Sequence, residues 1–389
     1  MRAFFLSYAY EPGLRADAGG FRKLWELARA LGARGHDVLV LFPRLPGHRP
    51  LHAVPAQGYP CLDLPVLRPL TAALGALVAA WAAARRARPD VIYFRSGLDV
   101  LPLLLGRALG ARIVLEVNAD VQEFLRVEQA GRLRRLLART AEALSARGSD
   151  LVVALTPGLK AMLVARYGLP RAKVRIVPSG TDPAHFAPTP VGVARGRLGL
   201  PADRPIVGFI GLFYRHQGVP TLLRALARLR ARVPDLGALV VGDGVMRTPW
   251  EDLARQLGIT DLVRFTGQVP YAEAPAYLCA MDVAVAPFTA GRGETSPFKV
   301  LDALACGRPV VASDLPSVRA LADASGAIVL VPPDDPGALA DAIEALLADP
   351  ARRLSLARRG REFVLAHHAW ERIAERLLRE LADGQGTGA

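Results

Sequence analysis

The sequence predicts an α/β protein built from two doubly wound, parallel-sheet domains. Three observations carry this. At 389 residues the chain exceeds one ordinary core. Short β-branched or aromatic runs alternate with Ala- and Leu-rich helical stretches. The alternation halts at a proline-rich stretch and then begins again.

In the first half, strands are expected at Ala3–Ser7, Asp37–Phe42, Val91–Phe94, Arg112–Glu116, Leu151–Leu155 and Val174–Val177. Helices such as Phe21–Leu31 and Leu133–Ala146 lie between them. Gly32 and Gly35 provide the stop and turn after the first helix. After Pro178-Ser179-Gly180-Thr181-Asp182 come Pro183, Pro188, Pro190 and Pro201, a composition suited to a linker. The second series has strands at Pro205–Ile210, Ala238–Val241, Leu262–Thr266, Val283–Pro287, Pro309–Ala312 and Ile328–Val331. Its helices include Thr221–Arg232, Trp250–Leu257, Ser296–Cys306 and Pro336–Leu347. An amphipathic helix at Ala369–Leu381 follows, and Gly384–Ala389 is expected to fray. The expected domains are 1–185, 186–365 and a final segment 366–389. Two such sheets face a cleft at the carboxyl ends of their strands, where ligands of doubly wound sheets bind.

An apolar fraction of 51% and a mean hydropathy of +0.23 exclude a disordered chain. Cys61, Cys279 and Cys306 are dispersed in sequence and form no CxxC pattern, which argues against a disulfide framework or zinc site and for a cytoplasmic location. The opening residues read as a strand rather than a signal peptide. Pro69–Ala84 is about 16 residues of mostly alanine, short of the roughly 20 needed to span a bilayer, and reads as a buried or interfacial helix. Residues 1–180 hold 26 Lys and Arg against 13 Asp and Glu, an excess equal to the +13 of the whole chain. That asymmetry suits a lipid surface, a lipid-linked phosphate or nucleic acid, or else a solvated arginine-rich face.

The chemistry concentrates in Gly291–Val311. A glycine-rich loop follows a strand, Ser296 is placed to cap a helix, Pro297 suits its first position and Gly307 its end. Free amides and the helix dipole then make an anion site suited to a diphosphate. Glu294 and Asp302 bracket it. Carboxylates beside phosphate are repelled by it and suit sugar or ribose hydroxyls instead; pairing of Asp302 with Lys299 or Arg308 is the plainer alternative.

The Glu294-x7-Asp302 spacing, followed by Ala-Leu-Ala-Cys-Gly-Arg-Pro-Val-Val-Ala-Ser-Asp, resembles the Glu-x7-Glu signature of retaining glycosyltransferase family 4, with the GT-B fold. Gly19-Gly20, the helix ending at Gly35-His36-Asp37-Val38, Val174–Asp182, Val241–Gly244 and Phe265–Val269 extend the resemblance over nearly the whole chain. The resemblance implies that Glu294 contacts a donor sugar and Asp302 the ribose. It implies that amides of Ser296, Pro297, Phe298 and Lys299 surround the diphosphate, although Pro297 itself has no N–H to give. The loop at Gln268 and Val269 would meet the base, Gly19 and Gly20 would admit the phosphate and acceptor, and the last helix would return to the first domain.

Two departures stand out. The second acid is Asp302, one methylene shorter than the family's Glu. Gln217 stands where the family places a lysine, leaving Arg215 and Lys299 as candidate cations; His216 is a further candidate phosphate ligand. Glu294, Arg215 and Lys299 are thus the candidate catalytic groups. Asn118, Asp120, Glu123 and Glu128 follow a strand end, where Asn118 and Glu123 are acceptor-side candidates. No Asp-x-Asp pair exists to hold a metal-bridged diphosphate, so neither a metal nor another cofactor is expected. The expected activity is metal-independent, retaining transfer from a nucleotide sugar to an acceptor hydroxyl, the acceptor a glycolipid or surface-polysaccharide precursor. A nucleotide-sugar epimerase and a non-catalytic basic membrane- or nucleic-acid-binding protein stay open at this point, although no nucleic-acid motif is present.

Overall fold

The structure is a computed structural model describing residues 1–7, 19–45, 50, 52–62, 64, 67–95, 100–127, 130–233, 235–294 and 296–383; side chains at 19–21, 124 and 127 are left aside. It divides into two compact units. The first comprises Met1–Gly180, Glu294–Ser296 and Trp370–Ala389; the second comprises Thr181–Gly293 and Pro297–Ala369.

The first unit holds β1 (Arg2–Leu6), β2 (Asp37–Pro43), β3 (Ala56–Tyr59), β4 (Val91–Arg95), β5 (Arg112–Val117), β6 (Leu151–Ala154) and β7 (Val174–Ile176). They form one parallel sheet in the order β3-β2-β1-β4-β5-β6-β7, so the topology reverses between β1 and β4. Near-continuous apolar runs such as Val91-Ile92-Tyr93-Phe94 suit strands covered on both faces. The helices are α1 (Gly19–Gly32), α2 (Arg68–Arg86), α3 (Leu101–Leu109), α4 (Val121–Val127), α5 (Arg132–Gly148) and α6 (Pro157–Tyr167). Right-handed crossovers place α2, α3, α5 and α6 on one face of the sheet and α1 on the other.

The second unit holds β8 (Ile206–Ile210), β9 (Gly237–Val241), β10 (Val263–Gly267), β11 (Val283–Ala286), β12 (Val310–Ser313) and β13 (Ile328–Val331). Their order, β10-β9-β8-β11-β12-β13, reverses between β8 and β11. Its helices are α7 (Val191–Leu198), α8 (Val219–Leu229), α9 (Arg247–Gln256), α10 (Ala274–Ala280), α11 (Phe298–Ala305), α12 (Pro316–Ser325), α13 (Pro336–Ala348) and α14 (Pro350–His367). In α8, Val219, Leu222, Leu223, Leu226 and Leu229 recur at helical spacing and are all buried against the sheet. Burying each leucine contributes about 1.5–3 kcal/mol. Cys279 and Cys306, distant in sequence, meet inside this unit as thiols, and their hydrogen bond draws the Cys279 thiol down to about 6.

The last helix, α15 (Trp370–Asp383), belongs to the first unit. It buries Trp370, Ile373, Ala374 and Leu377, and Glu371 and Glu375 pair with Arg29 and Arg34 at the end of α1.

Most expected elements start and stop within a residue or two of their observed bounds. Two were missed. β3 reads Ala-Gln-Gly-Tyr, without a β-branched residue, and α7 sits in the stretch read as linker. The helix expected to begin at Ser296 begins at Phe298: Pro297 is its N-cap residue and Ser296 makes no capping hydrogen bond. Gly19 and Gly20, read as a loop, form the first residues of α1. The remainder of that loop, Glu128 and the Gly384–Ala389 tail lie outside the described residues.

Candidate functional site

The β8/β11 reversal in the second unit gathers several of the residues from which an anion site is expected. The chain leaves β8 through Gly211 into a 3-10 turn at Arg215–Gln217, and leaves β11 through Pro287-Phe288 toward Gly291-Arg292-Gly293. Gly218, at φ +67°, lets these segments close: a Cβ there would lie 1.6 Å from the Pro287 carbonyl oxygen. Thr289 N–H then donates to the His216 carbonyl at 3.2 Å.

Lys299, in the first turn of α11, fills this corner. Its Nζ lies 3.7 Å from the Phe209 ring centroid and donates to Gln217 Oε1 at 2.5 Å. Burial of the ammonium group, and then the nearby Arg292, hold its pKa well below the ordinary lysine range. Arg292 itself lies over Phe288, 3.5 Å from the ring centroid. Arg215 is exposed and its guanidinium has no partner among the described residues. His216 is held down to about 4 by burial and by Arg292 and Lys299, so its imidazole is neutral at pH 7. A protonated His216 gripping phosphate is therefore not what the unliganded protein offers.

Asp302 lies one turn further along α11, buried at 7% exposure. Thr181 Oγ1 donates to its Oδ1 at 2.6 Å. No ion pair joins Asp302 to Lys299 or Arg308 among the described residues. Ser296 and Pro297 are buried and Phe298 is half-buried. The base-loop candidates Gln268 and Val269 follow β10, the edge strand, with Gln268 exposed and Val269 half-buried. Gly242, between β9 and Asp243, is packed so closely that a Cβ would lie 1.9 Å from the Gly211 carbonyl oxygen. The Gly-Asp-Gly turn therefore shapes the floor beside β8.

In the first unit, Glu294 is held by the start of α6. Thr156 Oγ1 donates to Glu294 Oε2 at 2.7 Å and accepts from Leu159 N–H at 3.1 Å. The backbone N–H of Asp120 donates to the Glu294 carbonyl at 3.1 Å. Gly158 makes room for the carboxylate, because a Cβ there would lie 2.5 Å from Glu294 Cδ. Neither Thr156 nor Thr181 was identified from sequence. The Thr156-Pro157 pair carries a capping signal, and Thr181 lies in a segment read only as the way into the linker.

The carboxyl ends of β4 and β5 hold a second cluster. Lys23 and Glu116, both fully buried, pair at 2.7 Å, and Tyr93 donates its hydroxyl proton to the same Glu116 oxygen. Burial lowers the Lys23 pKa against the opposing pull of Glu116. Asn118, with its amide nitrogen turned to Glu116 Oε1 at 2.6 Å, presents its oxygen to Arg95. Asp120 caps α4 through Gln122 N–H at 3.0 Å and takes a bidentate Arg166 at 2.6 and 2.7 Å. Glu123 pairs with Arg126 at 2.6 Å. Asn118 thus joins a buried polar network, while Asp120 and Glu123 are engaged by local arginines.

Two parallel, doubly wound units of seven and six strands define a GT-B protein. Over 100% of both chains it superimposes on sucrose-phosphate synthase from Thermosynechococcus elongatus with a TM-score of 0.81 at 24% identity. For the Anabaena protein HepE in complex with UDP-glucose, the TM-score is 0.78 at 19% identity, covering 98% of this chain and 100% of that one. Residues 19–185 match the family described as Glycosyltransferase Family 4, and residues 204–349 match Glycosyl transferases group 1. A 2-deoxystreptamine glucosyltransferase of Streptomyces kanamyceticus is 30% identical over 363 residues, 87% of this chain and 92% of its own. A D-inositol 3-phosphate glycosyltransferase of Kineococcus radiotolerans is 32% identical over 393 residues, 90% of this chain and 87% of its own. The chain belongs to the family 4, group 1 glycosyltransferases.

Proposed function

We propose that this glycosyltransferase moves a sugar from a nucleotide-diphosphate donor to an acceptor hydroxyl, with retention at the anomeric carbon and without a metal. The observation that carries the reading is Lys299, a partly desolvated cation in the first turn of α11 at the β8/β11 reversal, with buried Asp302 one turn behind it. Cleaving a sugar–diphosphate bond builds positive charge on the sugar and negative charge on the leaving group. An ammonium held in an aromatic corner, beside a helix N-terminus, stabilises that leaving group more strongly than water does. The arriving diphosphate favours the charged form of Lys299 and reverses the shift that burial imposes.

In this reading Asp302 receives the ribose hydroxyls and Glu294 the donor sugar. Ser296, Pro297 and Phe298 form the turn around the diphosphate, Gln268 and Val269 lie along the base, and Gly19 and Gly20 admit the acceptor. Arg215 lends cationic support. Acceptor attack on the face from which the diphosphate leaves needs no protein nucleophile. The relatives suggest the donors to try first: HepE was crystallised with UDP-glucose, and a mannosyltransferase of Mycolicibacterium smegmatis is described as GDP-mannose-dependent. The acceptor is taken to be lipid-linked at the cytoplasmic leaflet, because the whole net positive charge falls within residues 1–180.

The test is thermal stability with UDP, GDP and ADP in EDTA, followed by NMR of the product anomer. One nucleotide raising Tm with log concentration, lost in Asp302→Ala, supports the donor site. Inversion at the anomeric carbon, or activity abolished by EDTA and restored by a divalent ion, would overturn the mechanism.

A further inference from the structure

In helix α2 the usual arrangement of residue sizes is inverted. Its buried face is almost wholly alanine: Ala72, Ala73, Ala76, Ala80, Ala83 and Ala84 pack on the sheet. Leu77 packs against the core, while the other large apolar side chains of the helix point outward. Leu70, Leu74, Val78 and Trp81 are 58%, 48%, 67% and 43% exposed and follow one face at helical spacing. An ordinary surface helix does the reverse, because burying leucine stabilises the fold far more than burying alanine. The small inner face lets the helix lie close: a Cβ at Gly75 would stand 2.5 Å from the Pro60 carbonyl oxygen. Beside the ridge runs an open groove of about 590 Å³, lined by Tyr59, Pro60, Leu62, Leu74 and Val78, with Arg44 at its wall.

Charge selects the occupant. From Leu64 to Pro89 there is no acidic residue, and the ridge ends in exposed Arg85, Arg86 and Arg88. On the same face of the sheet, α5 exposes Leu133, Leu136 and Leu137 beside Arg132, Arg134 and Arg139. A second copy of this face would set arginine against arginine. An anionic bilayer offers lipid tails to the leucines and phosphates to the arginines. No described helix is long and apolar enough to cross a membrane, so the fitting geometry lies in the interface plane.

We propose that the outward ridge of α2, supported by α5, docks the protein on an anionic phospholipid bilayer. This deepens the membrane side of the reading above and does not depend on the donor chemistry. Trp81 is a built-in reporter, because Trp25, Trp250 and Trp370 are 2% exposed or less. Vesicles of phosphatidylglycerol and phosphatidylcholine should shift the full chain's fluorescence to the blue. Brominated phosphatidylcholine in the mixture should quench it, and Trp81→Phe should remove both signals.

Val78→Glu with Leu74→Ser should weaken vesicle binding about tenfold or more. Arg85→Glu with Arg86→Glu should weaken it and flatten its salt dependence. Both pairs should keep the lipid-free Tm and any nucleotide-induced shift, which reads the donor site separately. The proposal is overturned by any of three results: no quenching on anionic vesicles, equal binding to purely zwitterionic ones, or a lipid-free dimer that the Leu74/Val78 variant dissociates.

Discussion

Lys299 Nζ donates to Gln217 Oε1 at 2.5 Å, so the cation missing from position 217 is delivered to the same place from α11. The Gln217 amide nitrogen faces Nε2 of His216 at 3.1 Å, and with His216 neutral this nitrogen accepts, leaving the proton on Nδ1. One amide therefore orders both the ammonium and the imidazole. Replacing Lys299 by methionine keeps the packing on Phe209 and removes the charge. The expected loss in kcat/KM is about 10²- to 10³-fold, the range for deleting one group that stabilises developing negative charge. Moving the charge back, in Lys299→Gln with Gln217→Lys, should recover at least roughly tenfold over Lys299→Gln alone, since the cation returns to the same corner. Steady-state kinetics on the three variants checks this, and no recovery in the double variant would show that the helix position itself is required.

Thr181 and Asp302 form the second relationship. The hydroxyl donates at 2.6 Å to a carboxylate that is 7% exposed. Thr181→Val keeps the shape and removes the donor, which should lower stability by about 1–3 kcal/mol. If Asp302 holds ribose, the variant should also weaken nucleotide binding, because one hold on the carboxylate's orientation is lost. Thermal melts with and without nucleotide separate the two effects. A lowered Tm with an unchanged nucleotide shift would confine Thr181 to the fold.

Thr156 has two tasks, capping α6 and orienting Glu294. Thr156→Ala should lose the cap, about 1 kcal/mol, together with the hold on Glu294. Thr156→Ser should keep both. With Glu294 assigned to the donor sugar, Thr156→Ala should reduce kcat while leaving free-nucleotide affinity near that of the parent. Calorimetric titration with nucleotide beside turnover assays checks this, and equal kcat in the Ala and Ser variants would remove the positioning role.

The sequence was most legible where local rules and burial agree. Buried parallel strands such as Val283-Ala-Val-Ala286 are read from their β-branched residues, whereas the strand orders come from the structure. β3 escaped because pairing with β2, not composition, makes Ala56–Tyr59 a strand. The N-cap of α11 lies one residue later than expected, at Pro297 rather than Ser296, with φ −88° and ψ 74°. Glu294 and Asp302, which lie in one segment, were marked by their place about the expected helix start and by the family signature that their spacing resembles. Their partners Thr156 and Thr181 are 138 and 121 residues distant, a separation that no local pattern encodes. The Lys23–Glu116 pair was hidden for the same reason: it joins α1 to β5 through the interior, where each residue alone reads as a surface charge.

The last prediction concerns acid. His216 stays neutral until about pH 4 in the folded protein, against an ordinary value of 6.5. Between those values the unfolded chain binds a proton that the folded chain refuses. The contribution of the neutral ring is thus fully present above about pH 6.5 and is lost as pH falls toward 4. Burial is the largest cause, with Arg292 and Lys299 adding repulsion in the same direction. His216→Gln keeps a polar side chain but cannot titrate. Its Tm should fall less steeply than the parent's from pH 7 to about 4.5, bringing the two curves together or across each other. Parallel curves would mean that the imidazole is free to take a proton near its ordinary pKa. In that case a charged His216 would again be available to meet a phosphate.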